Sequence, residues 1–133
     1  MAKIVTAAVI VRDGRVLVAR RALGQDHAGY WEFPGGKLED GEDERACLAR
    51  ELREELAIEG IVGAHLTDSL YAYEKGAILL KAYAFDWQQG EMRLTVHDKI
   101  DWVTGEALEQ WPLTPADEPI ARFVMAQLDC QNP

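Results

Sequence analysis

The sequence has 133 residues, of which 48% are hydrophobic and 28% are charged, and its formal net charge is −9. This length and composition predict one globular domain over residues 1–133 with its own hydrophobic core. The absence of a long apolar run argues against a membrane protein, and the acidic balance argues against a nucleic-acid strand as partner. We expect a cytoplasmic monomer or homodimer whose two cysteines, Cys47 and Cys130, are reduced thiols without a metal role.

The N-terminal part of the chain has the pattern of strands. Residues 4–11 are apolar and rich in β-branched side chains, and Asp13-Gly14 suits a two-residue hairpin turn into a second strand. Residues 24–29 are predicted to form an irregular loop. The aromatic strand 30–33 that follows is expected to end at the breaker Pro34-Gly35-Gly36.

The rest of the chain predicts helices separated by longer strands. A first helix is expected over residues 43–56 with Asp43 as its N-cap. The next elements are extended stretches at 58–73 and 77–87 joined around Lys75-Gly76, a turn at 88–90 and a strand at 100–103. A short helix capped by Thr104 is expected at 106–110. A last helix is expected at 118–128, with Ile120, Phe123, Val124 and Leu128 on its inner side. The economical fold class is α/β (α+β), with a mixed sheet between helices.

The first predicted helix carries a cluster of carboxylates. At roughly 100° per residue, Glu51, Glu54 and Glu55 share one sector of the helix, and an apolar ridge of leucines lies beside it. Hard oxygen ligands beside a glycine turn suit Mg²⁺ or Mn²⁺ holding a substrate phosphate. The alternative is a solvated helix face in which these glutamates pair with Arg50 and Arg53.

Residues 36–58 resemble the Nudix box, whose pattern is glycine, five residues, glutamate, seven residues, then Arg-Glu-apolar-any-Glu-Glu-any-Gly-apolar. The matching residues are Gly36, Glu42, Arg50, Glu51, Leu52, Glu54, Glu55 and Ile58. Ala57 departs from the pattern, because the family usually has a glycine there as a left-handed C-cap. We interpret Ala57 as a change in how the helix ends, since no side chain at this position is expected to reach a metal.

The resemblance implies an α/β/α sandwich with a central mixed β-sheet and a divalent-metal site. It makes Glu54 and Glu55 metal ligands, makes Glu51 a ligand or an aid in activating the attacking water, and adds the carbonyl of Gly35. Arg50 is expected to orient these glutamates through hydrogen bonds. Glu42 is expected to support the turn or a further metal.

Outside the box, Ala19-Arg20-Arg21 followed by Trp31-Glu32-Phe33-Pro34-Gly35-Gly36-Lys37 resembles the MutT-like branch of the family, which hydrolyses nucleoside triphosphates. That resemblance implies phosphate contacts from Arg21 and Lys37, whose alternative is ordinary surface charge. Phe33 is either part of the base pocket or part of the core. Tyr73 either stacks on the base or is simply packed in its strand.

The segment from Trp111 to Ile120 is similar to one that lies beside the base in MutT-like enzymes. MutT has asparagine where this chain has Asp117, whereas CTP-pyrophosphohydrolase-like relatives have aspartate. An ionised carboxylate suits the donor edges of guanine or cytosine, and the alternative role is to cap the last helix. The family often has a fourth acidic residue before the late strand, and this chain has Val96 at that position. The role of that residue is therefore expected to pass to Asp98 or to be absent. His97 by itself is interpreted as a surface or packed histidine.

Together these features predict a Mg²⁺-dependent pyrophosphohydrolase, with Mn²⁺ able to substitute, that converts a nucleoside triphosphate to the monophosphate and pyrophosphate. A cytidine nucleotide or an oxidised purine nucleotide is the expected substrate. The alternatives within the family are cleavage of ADP-ribose or of a dinucleoside polyphosphate. A module that senses nucleotide without turnover and a purely structural protein are the remaining alternatives.

Overall fold

The structure is a computed structural model that describes residues 2–131, with the backbone alone for residues 129–131. Its elements in chain order are β1 (Lys3–Val9), β2 (Val11–Arg12), β3 (Arg15–Arg21), β4 (Trp31–Glu32), β5 (Gly35–Lys37), α1 (Glu44–Leu56), β6 (Glu59–Tyr73), β7 (Gly76–Gln89), β8 (His97–Thr104), α2 (Gly105–Leu108) and α3 (Glu118–Gln131). No helix in this part of the chain is long and apolar enough to cross a membrane.

The strands form a mixed sheet and a smaller antiparallel sheet. In the mixed sheet the order is β5-β1-β7-β6, in which β1 and β7 run parallel and the other pairs run antiparallel. In the second sheet β3 pairs with β2, β4 and β8, always antiparallel. The predicted mixed sheet is therefore confirmed, and the second sheet adds the strands that carry Arg21, Glu32 and His97.

The two long helices cover different buried clusters. One cluster joins α1 to the sheets and consists of Ala8, Ile10, Leu17, Leu48, Leu52, Leu56, Ile58, Tyr83 and Phe85. The other includes Phe33 and the inner side of α3, with Ile120, Val124 and Leu128. Successive residues of β1 belong to opposite clusters, because side chains alternate across a strand. This arrangement confirms the predicted sandwich of helices about a mixed sheet.

Several local predictions are confirmed. Asp13 and Gly14 have φ angles of 54° and 76°, as a two-residue hairpin turn with two left-handed positions requires. Thr104 caps α2, since its hydroxyl accepts from the Ala107 N–H at 3.2 Å. Cys47 is free and buried, whereas the side chain of Cys130 lies outside the described part.

Three local predictions are wrong. The breaker predicted at Pro34-Gly35-Gly36 does follow the end of β4, but Gly35 and Gly36 belong to a strand, β5, because they let this segment pair closely with β1. The turn expected at 88–90 is shorter, since β7 continues to Gln89 opposite Glu59 and Gly90 alone adopts a positive φ of 97°. The short helix spans Gly105–Leu108 rather than 106–110.

Candidate functional site

Helix α1 holds its carboxylates at a fixed position because both of its ends are capped. The Asp43 side chain accepts from the Ala46 N–H at 3.0 Å at the N-terminus. At the C-terminus Ala57 adopts the left-handed conformation, with φ of 59°, and its N–H donates to Arg53 O at 3.1 Å. The interpretation of Ala57 as a change in helix termination is therefore wrong. The glycine-type ending persists, and alanine bears its conformational strain of about 1 kcal/mol.

The two glycines of β5 bring the backbone against α1 and against β1. A Cβ on Gly36 would lie 2.2 Å from Glu51 Cδ, and a Cβ on Gly35 would lie 2.0 Å from Thr6 O. Neither glycine has a positive φ. Glycine is therefore required at both positions because the neighbouring atoms leave no room for a Cβ. The Glu51 carboxylate consequently lies directly against the β5 backbone whose Gly35 carbonyl was predicted to be a ligand.

Arg50 connects the acidic residues of the box. Its Nε and Nη2 donate to the two oxygens of Glu42 at 2.7 and 3.0 Å. Its Nη1 donates to Glu51 Oε1 at 3.0 Å and to Glu54 Oε2 at 3.2 Å. The hydrogen bonds that Arg50 donates to Glu42 lower the pKa of Glu42 to about 2, and the bonds that it donates to Glu42, Glu54 and Glu51 raise the pKa of Arg50. The orienting role predicted for Arg50 thus has a direct geometric basis.

Glu55 lies deeper than Glu54 on the same helix. Burial, together with the charges of Glu51 and Glu32, raises the pKa of Glu55 to about 8, although Arg21 acts to lower it. Burial also raises the pKa of Glu51. Carboxylates held together at this electrostatic cost are stabilised by a cation between them.

The chemistry of this donor set suits a hard divalent ion, since carboxylate and carbonyl oxygens are the ligands that Mg²⁺ and Mn²⁺ prefer. Among residues 2–128, whose side chains the structure describes, no three His, Cys, Asp or Glu side chains converge closely enough to hold an ion as they stand. Glu51 and Glu54 are hydrogen-bonded to Arg50 instead. Both oxygens of Glu54 accept from Arg50 Nη1, but the Glu54 side chain is 53% exposed and is not confined by packing.

A second group of charges lies where β3, β4 and β8 adjoin. Arg21 Nη1 donates to both oxygens of Glu32 at 3.0 Å, and Arg21 Nε donates to the carbonyl of Asp26. His97 Nε2 lies 2.8 Å from Glu32 Oε2. Sequence reasoning placed Arg21 near the substrate but missed Glu32. The alternation of side chains along a strand could have identified Glu32, because it places Glu32 on the face opposite its buried neighbours Trp31 and Phe33.

Asp117 and Phe33 meet in the buried interior. The Asp117 carboxyl is only 4% exposed, its Oδ1 accepts from the Phe33 N–H at 3.0 Å, and its Oδ2 accepts from the Thr114 hydroxyl. Burial raises the pKa of Asp117 to about 7. Its main-chain carbonyl, rather than its carboxylate, accepts from Ala121 N–H at the start of α3. The carboxyl is therefore fixed on Phe33 and Thr114, a residue that sequence reasoning missed.

The remaining predicted site residues, Tyr73, Lys37 and Asp98, are more exposed than Asp117 and Phe33. Tyr73 is 45% exposed beside the β6–β7 turn, whereas Tyr71, two residues earlier on the same face, packs against the cluster that contains Phe33. Lys37 is exposed and lines an open cleft of about 530 Å³ with Lys3 and residues of the box loop. Asp98 Oδ1 accepts from Arg20 Nε at 2.7 Å, so its carboxylate is engaged in an ion pair.

An anchored set of oxygen ligands beside arginine and lysine side chains is suited to metal-assisted chemistry on a phosphate. The NUDIX domain model matches residues 2–124 of this chain, which therefore belongs to the NUDIX domain family. The predicted family is confirmed.

Curated relatives support the predicted class of nucleotide diphosphatase. A CTP pyrophosphohydrolase of Escherichia coli is 41% identical over 122 residues, which are 92% of this chain and 90% of the relative. A putative 8-oxo-dGTP diphosphatase 2 of Mycobacterium tuberculosis is 43% identical over 118 residues, 86% of this chain and 82% of the relative. The solution structure of the E. coli ORF135 protein matches with a TM-score of 0.83 at 40% identity, covering 99% of this chain and 95% of that one.

Proposed function

We propose that this protein is a Mg²⁺-dependent pyrophosphohydrolase that releases pyrophosphate from a nucleoside triphosphate, with Mn²⁺ able to substitute. The observation that carries the proposal is the binding of Glu42, Glu51 and Glu54 by the single side chain of Arg50. A solvated helix face would leave such charge pairs exposed, whereas the side chains of Arg50, Glu42 and Glu51 are only 19%, 15% and 16% exposed. The two relatives named above, a CTP pyrophosphohydrolase and a putative 8-oxo-dGTP diphosphatase, support the same reaction.

In this proposal Glu54, Glu55 and the Gly35 carbonyl hold the metal, and Glu51 is a further ligand or helps to activate water. When bound, the ion supplies neutralisation of phosphate charge and a positioned water for attack at phosphorus. Arg50 keeps the carboxylates of Glu51 and Glu54 in a fixed orientation. Burial and the neighbouring carboxylates stabilise the protonated form of Glu55 in the protein alone, so that metal binding releases a proton from it.

We assign the substrate contacts to a second set of residues. Arg21 and Lys37 are proposed to contact the phosphates. Phe33, Tyr73 and Asp117 are proposed to contact the base. The proposal for Asp117 is supported by its fixed orientation, because a carboxyl held on Phe33 N–H and Thr114 can offer its remaining lone pairs to a donor edge.

We further propose that residues 1–133 form one domain and act as a monomer or homodimer. The family model spans residues 2–124, which supports a single unit. The formal charge of −9 supports action on a free nucleotide carried with its metal rather than on a nucleic-acid strand.

The test is a pyrophosphate-release assay with CTP, dCTP, 5-methyl-dCTP, dGTP and 8-oxo-dGTP, each with Mg²⁺, Mn²⁺ or a chelator. We expect metal-dependent release of pyrophosphate, with a cytosine or oxidised purine nucleotide preferred. ADP-ribose and a dinucleoside tetraphosphate are included, and their preferential cleavage would replace the proposed substrate class. Binding of nucleotide without time-dependent product would overturn the proposed reaction.

A further inference from the structure

His97 is a fully buried histidine with one hydrogen-bonding partner. Its side chain is 0% exposed, and Nε2 lies 2.8 Å from Glu32 Oε2. Because an ionised carboxylate only accepts, Nε2 carries the hydrogen and donates it. Nδ1 is buried and has no hydrogen-bond partner among the residues that the structure describes. A buried ring oriented by a single bond to Glu32 calls for an explanation beyond filling space.

A β-bulge directs this ring inward. Strands β3 and β8 pair Arg20 with Lys99 and Arg21 with His97, so Asp98 is an extra residue on β8. Bulges turn a side chain away from the direction that simple alternation would give it. Here Asp98 reaches Arg20 on the exposed side, while His97 reaches Glu32. The inward ionisable group at the start of β8 is therefore a histidine rather than an acid.

Glu32 links this histidine to the candidate site. The same carboxylate accepts from Arg21 Nη1 through both oxygens, and its charge raises the pKa of both Glu55 and Asp117. Glu32 therefore acts electrostatically on a proposed metal ligand, and it directly precedes Phe33, whose N–H binds the proposed base contact Asp117. Arg21 Nε is bound to the Asp26 carbonyl, and within residues 2–131 the structure gives Arg21 Nη2 no hydrogen bond.

We propose that His97 is a positioning residue: it orients the Glu32 carboxylate, which in turn holds Arg21 with its Nη2 directed to the substrate. This inference rests on the proposed function, since it takes Arg21 to contact nucleotide phosphate. Two donors on one carboxylate fix its plane more firmly than one donor. Loss of the His97 bond leaves Glu32 free to rotate with Arg21, which weakens substrate binding more than it affects the chemical step.

The experiment compares His97→Phe with His97→Gln in steady-state kinetics on the nucleotide that the panel selects. His97→Phe keeps the planar volume but removes the donor, and we expect KM to rise about tenfold with kcat within about threefold. His97→Gln can restore a donor at the Nε2 position and is expected to recover most of that loss. His65→Phe, at a half-exposed histidine on β6, is the matched control and is expected to leave both constants unchanged.

An unchanged KM in His97→Phe would overturn the proposal, as would a loss confined to kcat or a His97→Gln variant as impaired as His97→Phe. Nitrogen-15 NMR of the free protein gives a test that does not depend on turnover. We expect the His97 proton on Nε2, and we expect Glu32→Gln to shift that resonance. A proton on Nδ1 would overturn the proposal even in an active enzyme, whereas failure of every nucleotide with the expected tautomer intact would count against the proposed function instead.

Discussion

The guanidinium of Arg50 binds the carboxylate of Glu42 through two parallel hydrogen bonds, from Nε to Oε2 at 2.7 Å and from Nη2 to Oε1 at 3.0 Å. This planar pairing leaves Nη1 to reach Glu51 and Glu54. A lysine in the same place could supply only a point charge. The helix and the loop before it are therefore locked together by a contact that only arginine can make.

We expect Arg50→Lys to lower metal affinity or turnover by about 10- to 100-fold, the usual loss when a residue that orients metal ligands is changed. Pyrophosphate release measured over a Mg²⁺ titration checks this. Arg53→Lys is the matched control, because Arg53 is exposed on the same helix and should tolerate the change. Equal losses in both variants would show that Arg50 acts through helix stability alone.

Glu54→Gln should abolish most turnover while leaving the fold intact. The side chain is 53% exposed, and among the described residues it forms hydrogen bonds with Arg50 alone, so its loss costs little packing. The measurement is turnover with saturating Mg²⁺, accompanied by thermal unfolding monitored by circular dichroism. A purified variant that hydrolyses nucleotide as fast as the parent would show that the metal site is wrongly assigned.

Gly35→Ala should chiefly lower the stability of the protein, whereas Gly36→Ala should chiefly lower its turnover. At Gly35 the new Cβ meets the backbone of Thr6 at 2.0 Å, which cannot give way without moving β1, so we expect destabilisation by more than about 2 kcal/mol. At Gly36 the Cβ meets the end of the Glu51 side chain at 2.2 Å, which can rotate away.

For Gly36→Ala we therefore expect the smaller loss of stability but a turnover reduced by about tenfold or more, because Glu51 is displaced. Chemical denaturation and turnover measured on both variants provide the comparison. If Gly36→Ala kept full activity, the Glu51 carboxylate would not need its observed position.

Ala57→Gly should stabilise the protein by about 1 kcal/mol, because alanine is strained at its φ of 59°. This corresponds to a rise in Tm of about 3–5 °C for a domain of this size. Ala46→Gly, at an exposed position inside the same helix, is the control and should destabilise by about 0.5–1 kcal/mol. The opposite signs make the result independent of any general effect of glycine on the unfolded chain.

Asp117 predicts a pH dependence of stability. Burial raises its folded-state pKa to about 7 from an ordinary 3.8, so the native protein binds a proton that the unfolded chain has released between these values. The free energy of unfolding should therefore fall as the pH rises from about 4 to about 7. Asp117→Asn should remove the part of this decline that Asp117 contributes, leaving the part due to the raised pKa of Glu55, and should be most stabilising, relative to the parent, above pH 7.

Urea unfolding at a series of pH values measures this effect. Asp98→Asn is an informative comparison because Arg20 lowers the pKa of Asp98, so the contribution of that carboxylate is lost only as the pH falls below its ordinary value. The decisive quantity is the difference in the free energy of unfolding between the parent and Asp117→Asn. If that difference did not change between pH 4 and 7, the Asp117 carboxyl would be ionised throughout this range.

Local sequence signals predicted most of the fold. The period of the leucines defined α1, Asp43 and Thr104 marked helix starts, and Asp13-Gly14 marked a hairpin, because each signal depends on residues that are neighbours along the chain. The same reasoning was wrong for Gly35-Gly36. Two adjacent glycines are typical of a turn, but here they permit close packing against partners that lie elsewhere in the sequence.

The sequence by itself determined the family, the box helix and the carboxylates that define the proposed chemistry, since these follow from spacing within one segment. The tertiary structure alone decided how the rest of the site is joined. The Glu32–His97 contact spans 65 residues and the Phe33–Asp117 contact spans 84. Such contacts depend on strand register, a bulge and burial, which arise only when distant segments pack together, and a shift of one residue would turn each side chain to the other face.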